Sequence, residues 1–551
     1  LFGFITDNGG GGLSSSVGES AMLSNGCEVW LDKVPLKYEG LDMWEIWVSE
    51  SQERMTIAVK PEKIDRFLEL SKEHEVESTV IGKYTDTGKL HIKYHDKTCA
   101  WVDMDLLEKG FPKWEFDAVW IPPAQRGLTE PVLKEPCNHI TVTVENDSSQ
   151  DRSDILHSNM NTLILDMLSR PNICSKEWIT RQYDHEVQGG SVVKPLVGVN
   201  RDVPSDASVI RPVLNSLKGL AFSQALMPWY SKIDAYHMMT CTIDEAVRRI
   251  IAVGGTLSHI GGVDNFCWPD IQYHPLKNPD GKFKAAQLVR ACRALKDACL
   301  SYGIPLLSGK DSMYVDGYLQ GKYGELVKIS ALETVQFSAT GVIDDATKCV
   351  TLDPKIPGDL VYILGNTANE LGASEYYELL DKTGLNVPHV HFDQFKVIYR
   401  ALEKAIASGL VASAHAVGRG GLATHIALSA IACDMGLEVD LAKVPVSVDS
   451  EETSIRNTNN FNTTILFSES SGRFIVTVAP ENRSVFEKLF SGMACGYVGR
   501  VTDEHSNLVI KGFEKDRYVT QKDQPVKNNT IIDIAVESLA TAWKSPLGGM
   551  I

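Results

Sequence analysis

A glycine-rich turn near the start of the chain has residue types that suit phosphate chemistry. The turn is Asp7-Asn8-Gly9-Gly10-Gly11-Gly12-Leu13, and it follows an apolar run over residues 2–6 that predicts a strand. Glycines let a backbone adopt positive φ and pass close to an anion, and the N-terminus of a following helix attracts phosphate. Asp7 at the strand end can hold Mg²⁺ beside that phosphate. The alternative is a simple strand–helix turn in which Asp7 acts as a cap.

A second polar group, Glu50-Ser51-Gln52, precedes a predicted strand over residues 54–59. The trio offers one acceptor, one hydroxyl and one amide, which suit sugar hydroxyls or an amide-bearing substrate. A solvated loop that binds nothing is the alternative for this segment.

Two further candidate segments lie in the middle of the chain. Ser308-Gly309-Lys310-Asp311-Ser312-Met313 follows a predicted strand over residues 304–307, and glycine, lysine and serine after a strand indicate phosphate contact. The segment is not a P-loop, because the upstream glycine of that motif is absent. Asp264 follows a Gly-Gly pair that predicts a turn, so it is expected to be another strand-end acid.

The remaining histidines and cysteines give weaker signals. His259 and His415 are expected to be turn or core residues, because no carboxylate or cysteine stands at metal-ligand spacing from them. Cys267 and Cys292 have no identifiable base partner and are not predicted to be nucleophiles. The eleven cysteines form no CxxC pair, which favours free thiols in a reducing cytoplasm.

The elements that position the first two groups occur twice in the chain. Four blocks of the first 86 residues return in the same order, displaced by 409 to 419 residues. They are DNGGGGL and AVGRGGL, GCEVWLDKVP and GLEVDLAKVP, SESQER and SESSGR, and IGKYTD and VGRVTD. A period this long indicates duplicated domains rather than a solenoid.

Each copy has the pattern of an α/β unit. In the first, strands are predicted over residues 28–31, 54–59, 79–84 and 90–94, with a helix after Pro61 whose Ile64, Phe67 and Leu68 share one face. Further helices are predicted over 153–169, 175–183, 244–253, 285–301 and 531–543. The expected division is 1–115 and 351–525 for the two related α/β halves, 116–189 for a connector, 190–350 for a further globular half, and 526–551 for a helical tail.

Composition excludes several classes of protein. The net charge of −17 opposes nonspecific binding to nucleic acid or to anionic membranes. No apolar run is long enough to predict a membrane span. The hydrophobic content of 43% fits an ordinary globular chain.

Five runs together resemble the phosphoribosylformylglycinamidine synthases, the family whose large synthetase subunit acts in purine biosynthesis. They are ITDNGGGGLSSSVGE, KVPLKYEGLDMWEIWVSESQERM, EWITRQYDHEVQGGSVVKPLVG, VDNFCWPD and PLLSGKDSM, and they span nearly the whole chain. The resemblance implies an α/β (α+β) fold of tandem aminoimidazole ribonucleotide synthetase-like units. Since a globular stretch precedes the second copy only, and the chain opens with Leu1, the first unit is expected to lack its N-terminal half.

The resemblance also implies an activity and a set of site residues. The family converts formylglycinamide ribonucleotide, ATP and glutamine-derived ammonia into formylglycinamidine ribonucleotide, ADP and phosphate, through a phosphorylated formamide oxygen that ammonia displaces. By residue matching, Asp7 resembles the Mg²⁺ ligand, and Asp264 and Gly309 resemble nucleotide contacts. Glu50, Ser51, Gln52 and Ser312 resemble substrate contacts. The family's catalytic histidine and ATP-binding lysine have no match here, so this chain alone is expected to be inactive.

The second copy departs from the family's auxiliary nucleotide site. That site uses a Glu-x-x-x-Asn pair and an Asp, and the matching positions here are Glu245, Arg249 and Ala416. Arg249 and Lys310 are expected to supply positive charge where a metal would lie.

Two alternatives to this assignment remain open. One is a non-catalytic scaffold that assembles with a glutaminase, and the other is another ATP-dependent synthetase of the same superfamily. No glutaminase signature is present, so ammonia is expected from a separate subunit or a fused domain.

Overall fold

The chain forms two compact units. The computed structural model describes residues 1–110, 113–133, 159–447, 460–503, 506–513 and 528–548. The first unit comprises Leu1–Glu115 and the second comprises Phe116–Ile551. None of the helices in the described ranges is long and apolar enough to cross a membrane.

The first unit is built from six strands and four helices among its described residues. The strands are β1 (Phe2–Asp7), β2 (Cys27–Trp30), β3 (Met55–Val59), β4 (Gly82–Tyr84), β5 (Lys89–Tyr94) and β6 (Lys97–Asp103). The helices are α1 (Leu13–Met22), α2 (Met43–Val48), α3 (Ile64–Glu73) and α4 (Met104–Lys109). β1 pairs with β3 in one small sheet, and the others form a second sheet in the order β4-β2-β5-β6.

The second unit contains a β-rich half and an α/β half. Its first ten strands are β7 (Ser191–Val193), β8 (Leu196–Val197), β9 (Val203–Pro204), β10 (Ser208–Ile210), β11 (Gly219–Leu226), β12 (Ile260–Cys267), β13 (Leu306–Ser312), β14 (Asp316–Gln320), β15 (Leu326–Ser330) and β16 (Thr334–Ile343). The next seven are β17 (Leu360–Leu364), β18 (Ser413–Ala416), β19 (Gly436–Asp440), β20 (Phe474–Val478), β21 (Cys495–Thr502), β22 (Asn507–Phe513) and β23 (Asn528–Ala535). The order β13-β12-β16-β11-β10-β7 makes one sheet, and the order β18-β20-β17-β21-β19-β22-β23 makes another.

Helices cover these two sheets. They are α5 (Met160–Leu168), α6 (Glu177–Thr180), α7 (Ala235–Ala252), α8 (Gly281–Tyr302), α9 (Glu375–Leu379), α10 (Phe392–Ala407), α11 (Gly421–Cys433), α12 (Phe461–Phe467), α13 (Arg483–Leu489) and α14 (Val536–Gly548). α7 packs against α8 and against strands β11 and β16. The buried apolar side chains of this unit form one continuous core.

The two repeats agree in backbone detail. β2 lies between β4 and β5 as β19 lies between β21 and β22. The ladder from β5 to β6 shifts register between Ile92 and Lys93, and the ladder from β22 to β23 shifts between Ile510 and Lys511. A Cβ on Gly82 would meet the carbonyl of Glu28, and one on Gly499 would meet that of Glu438. Such shared irregularities are expected of duplicated domains rather than of chance likeness.

The repeats differ at the centre of the sheet. In the second unit β17 is buried at every position and joins β20 to β21. No strand in the described residues of the first unit takes that place, so its sheet is divided in two. α3 is present where a helix was predicted, but none of its residues is buried. Phe2, Ile5 and Met55 on the two-stranded sheet are exposed.

Several predicted boundaries were wrong. The predicted strand over residues 304–307 is β13, which continues to Ser312, and the Gly261-Gly262 pair before Asp264 lies inside β12 rather than in a turn. The predicted helix 531–543 is a strand up to Ala535 and a helix only from Val536. The helix predicted over 244–253 begins nine residues earlier, at Ala235. The helix predicted over 175–183 is the single turn α6. The first part of the helix predicted over 153–169 lies outside the described residues, and α5 forms the rest of it.

Candidate functional site

The first glycine turn has an open carboxylate beside open backbone amides. β1 ends at Asp7, and α1 begins at Leu13. Within the described part of the chain, the Asp7 carboxylate and the N–H groups of Gly9 and Gly10 have no hydrogen-bond partner. A Cβ on Gly9 would lie 3.2 Å from Asp7 Oδ2, so glycine keeps the backbone close to the carboxylate. A carboxylate and two amides at one turn can serve a metal-bound phosphate.

The Glu50-Ser51-Gln52 segment is held against this turn. Gly11 N–H donates to Glu50 Oε1 at 3.0 Å. Arg54 holds the segment from beneath, because its guanidinium donates to the Ser51 and Ser49 carbonyls. The structure therefore brings together Asp7 and the predicted trio, and Glu50 partly serves to shape the turn.

The second turn has the same backbone skeleton. Gly420 N–H donates to Glu469 Oε1 at 2.8 Å, as Gly11 does to Glu50. Arg473 donates to the carbonyls of Ser470 and Ser468, as Arg54 does in the first repeat. Gly421 N–H donates to the Gly418 carbonyl, and Gly12 N–H donates to the Gly9 carbonyl. The shared contacts show that this glutamate and this arginine first of all hold the loop.

In the second turn an internal histidine accepts from the Gly418 amide, whose equivalent at Gly9 is open in the first turn. Gly418 N–H donates to His425 Nε2 at 2.9 Å, so His425 carries its proton on Nδ1. That nitrogen lies 2.8 Å from His415 Nε2, and His415 Nδ1 lies 2.9 Å from an oxygen of Asp206. Burial and the neighbouring His415 lower the pKa of His425 well below its ordinary value. The chain of hydrogen bonds ends at the Asp206 carboxylate.

Arg419 stands where the first turn has Gly10, and its side chain fills the second turn. Its Nε donates to Glu375 Oε2 at 2.6 Å, and its Nη1 lies 3.7 Å from Glu469 Oε2. The guanidinium also lies 4.2 Å from the centre of the Trp229 ring. Glu469 is 3% exposed, whereas Glu50 lies at the surface. Burial raises the pKa of Glu469. The ion pairs of Arg419 with Glu375 and Glu469 thus close the second turn.

The predicted substitutes for a metal in the second unit have other partners. Arg249 forms an ion pair with Glu245, and its Nη1 donates to the Gln224 carbonyl at 3.0 Å. Lys310 Nζ donates to Ser312 Oγ at 2.8 Å. Ala416 N–H donates to Asp206 at 3.0 Å. No group of three or more potential ligands among histidine, cysteine, aspartate and glutamate occurs in the described residues.

The other predicted contacts lie side by side on two neighbouring strands. Asp264 on β12 is in register with Gly309 on β13, and a Cβ on Gly309 would lie 3.0 Å from Asp264 Oδ2. Ser312 is in register with Cys267 at the end of the same ladder. Burial raises the pKa of Asp264, and Asp311 adds to the shift. These residues form a group within the second unit.

Comparison with known proteins connects this geometry to a family. A model described as AIR synthase related protein, C-terminal domain, matches residues 4–95 and 357–511, which are the two repeats. The PurL subunit of phosphoribosylformylglycinamidine synthase from Methanocaldococcus jannaschii is 33% identical over 93% of this chain and 62% of that protein. The same subunit from Methanococcus aeolicus is 30% identical over 99% of this chain and 65% of that protein.

The chain is a homologue of PurL.

Solved structures of PurL show the same fold. PurL of Thermotoga maritima complexed with ADP covers 91% of this chain and 64% of its own length, with a TM-score of 0.54 and 19% identity. The complex of that protein with FGAR gives a TM-score of 0.53. The predicted fold class, tandem AIR synthase-like α/β units, is confirmed. The chain spans about 62% of the length of the first of the curated PurL relatives.

The residues that close the second turn were missed by sequence reasoning. His425 lies inside the apolar helix α11, and Asp206 lies in a loop between β9 and β10. Nothing in their local sequence links them to Gly418. The one available signal was the exchange of Gly10 for Arg419 between aligned repeats.

Proposed function

We propose that this chain provides the ATP-using part of a phosphoribosylformylglycinamidine synthase in cytoplasmic purine biosynthesis. In this role it contributes to the conversion of formylglycinamide ribonucleotide into formylglycinamidine ribonucleotide, with ATP consumed and ammonia taken from glutamine. A glutaminase, as a separate subunit or a fused domain, is the proposed source of ammonia. Similarity to PurL over nearly the whole chain supports this proposal.

The open carboxylate of Asp7 beside the Gly9 and Gly10 amides carries the proposal. Mg²⁺ in nucleotide sites is usually held by one or two protein carboxylates together with phosphate oxygens. A single open carboxylate next to free amides fits that donor set, and Mg²⁺ there would neutralise charge on the phosphates. The amides of Gly9 and Gly10 would orient the phosphate without adding charge.

The other matched residues have supporting roles in this proposal. Ser51 and Gln52 would contact the substrate, while Glu50 also keeps the turn in shape through Gly11. Asp264, Gly309 and Ser312 would serve the nucleotide and the substrate from the second unit. The closed second turn supports a structural role for the second repeat.

The decisive experiment changes Asp7 to Asn in the complete protein as its gene encodes it. We expect ammonia-dependent synthesis to fall by about 100-fold or more, since the proposed contact between the carboxylate and the metal is lost. Asp65→Asn, on the exposed helix α3, is the matched control and should leave the rate unchanged. Unchanged rate and Mg²⁺ dependence in Asp7→Asn would show that the first turn is only structural.

The source of ammonia is tested separately. The complete protein should use ammonium salts directly, but glutamine only when a glutaminase subunit or domain is present. Glutamine-dependent synthesis by the complete protein without any glutaminase would contradict the proposed source of ammonia.

A further inference from the structure

The first unit contains a cavity that the proposed reaction does not use. It lies between helix α2 and the adjoining ends of β5 and β6, with a volume of about 1000 Å³. Leu31 and Ile92, both nearly inaccessible to solvent, form its floor. The aromatic rings of Trp44, Trp47 and Tyr94 stand around it. This is the size of pocket that takes a small organic ligand.

The second repeat fills the same place with its own side chains. When the strand registers of the two repeats are matched, His95 corresponds to Phe513 and Ala100 corresponds to Ile532. When helices α2 and α12 are matched in the same way, Asp42 corresponds to Phe461. In the second repeat the rings of Phe461 and Phe513 lie 4.6 Å apart at 90°. Ile532 there is completely buried.

The first repeat therefore has smaller or more polar residues where the second has large apolar ones. Ala100 replaces Ile532, His95 replaces Phe513, and Asp42 replaces Phe461. Protein interiors are otherwise packed without such voids, and unfilled apolar space costs stability. Trp44, where the second repeat has Thr463, adds an aromatic wall rather than a filling side chain. A cavity opened in this way is suited to a ligand.

The aromatic walls and the charges of the rim define the class of ligand. Trp44 is 65% exposed and lines the cavity. A flat molecule can stack on an indole ring of this kind. The rim has the two acids Asp42 and Asp96 and the single lysine Lys97, so a phosphate group is disfavoured there. Carboxylates accept hydrogen bonds from ring amino groups. Two of the three side chains that fill the equivalent space in the second repeat, Phe461 and Phe513, are aromatic, so a flat ring system fits a space of this kind.

We propose that this cavity binds an uncharged or weakly basic planar heteroaromatic compound of the purine-nucleoside class. The site is separate from the Asp7 turn, because none of its lining residues belongs to that turn. Its ligand would be recognised by stacking on Trp44 and by the Asp96 carboxylate, since the Asp42 side chain caps α2.

The test is calorimetric titration of the full chain with adenosine. Adenosine should bind to the unaltered protein, and a saturating non-hydrolysable ATP analogue should not displace it. The double variant Ala100→Ile with His95→Phe copies residues of the second repeat and should abolish binding while leaving ATP-analogue binding unchanged. Its thermal midpoint should be equal or higher, because a cavity is filled. His74→Phe, at the exposed end of α3, is the matched control and should bind adenosine normally.

A second variant keeps the test independent of core packing. Trp44→Ala removes an exposed ring and should weaken adenosine binding by about tenfold, the effect of one stacking contact. AMP should bind more weakly than adenosine because of the acidic rim. No adenosine binding, unchanged binding in the filled variant, displacement by the ATP analogue, or tighter binding of AMP would each overturn the proposal.

Discussion

Gly12 allows the first turn to approach the α2 segment more closely than any side chain would permit. Its φ is +58°, and a Cβ at this position would lie 2.0 Å from the Ser49 carbonyl oxygen. Both the conformation and the space therefore require glycine. The equivalent Gly421 has a φ of +72° and would place a Cβ 2.7 Å from the Leu466 carbonyl.

Gly12→Ala should destabilise the first unit by about 2 to 4 kcal/mol, because a strained backbone and a backbone clash act together. Gly18→Ala is the matched control in the same segment. No atom lies within 4 Å of its added methyl, and alanine favours the interior of α1 by about 0.5 to 1 kcal/mol. Urea unfolding followed by circular dichroism measures both changes. Equal stability of the two variants would contradict the close approach at Gly12.

His425 should make the stability of the second unit depend on pH. Its pKa is lowered in the folded state by burial and by His415, while the unfolded side chain keeps an ordinary pKa near 6.5. Below that pH the unfolded state binds the extra proton, so this contribution to stability is complete above pH 6.5 and is lost as the pH falls. The expected slope is about 1.4 kcal/mol per pH unit.

The measurement is the thermal midpoint between pH 5 and pH 7.5, compared with His425→Gln. Glutamine can accept from Gly418 and donate to His415, but it does not titrate, so its midpoint should fall less steeply with acid. Parallel curves for the two proteins would show that His425 is not kept neutral by folding.

At the residue scale the sequence predicted Asp7 and Glu50 as candidate site residues, but not their proximity or how the second turn is closed. Glu50 comes near the first turn because β3, the strand after its segment, pairs with β1. Asp206 and His425 are linked through His415 only because distant elements pack, and neither has a local pattern that indicates this arrangement.

At the scale of elements, one error came from glycine. The Gly261-Gly262 pair predicts a turn, yet it lies inside β12, where a Cβ on Gly261 would lie 2.7 Å from Leu307 and one on Gly262 would lie 2.2 Å from Phe337. Those contacts come from the neighbouring strands β13 and β16, so sequence near Asp264 could not reveal them. The strand at 531–535 was also missed, because its partner β22 supplies the pairing that overrides helical propensity.

The second glycine turn should hold no magnesium nucleotide. The Gly418 amide of this turn donates to His425, and the Arg419 side chain lies in the turn, bound to Glu375. Glu245 forms an ion pair with Arg249. We expect protein purified without added nucleotide, then denatured, to release less than one metal and one nucleotide per chain. Asp7→Asn should lower any retained amount to background. One equivalent of ADP with Mg²⁺ in Asp7→Asn would contradict this prediction.

At the scale of the molecule, the two repeats should differ in rigidity. β18 and β20 belong to a seven-stranded sheet that β17 holds together, whereas β1 and β3 form a two-stranded sheet with exposed apolar residues. Small sheets without a covering layer open more readily.

Hydrogen exchange followed by mass spectrometry on this 551-residue chain measures that difference. Amides of β1 and β3 should exchange at least about tenfold faster than those of β18 and β20, because less burial opposes their opening. Peptides from β2 and β19, which lie inside larger sheets, provide the internal control. Equal protection of β1 and β18 would contradict the expected difference.

The arginine beneath each Ser-Glu-Ser loop has a consequence for how such a protein can change over evolutionary time. Arg54 and Arg473 donate hydrogen bonds to backbone carbonyls, which every residue type possesses. Apart from the glutamate that accepts from Gly11 or Gly420, the path of the loop therefore depends little on the side chains of its residues, and Gln52 and Ser471 can differ without altering it. A duplicated gene with this support can acquire new substrate preferences in one copy by single substitutions, while the other copy remains free to lose binding altogether.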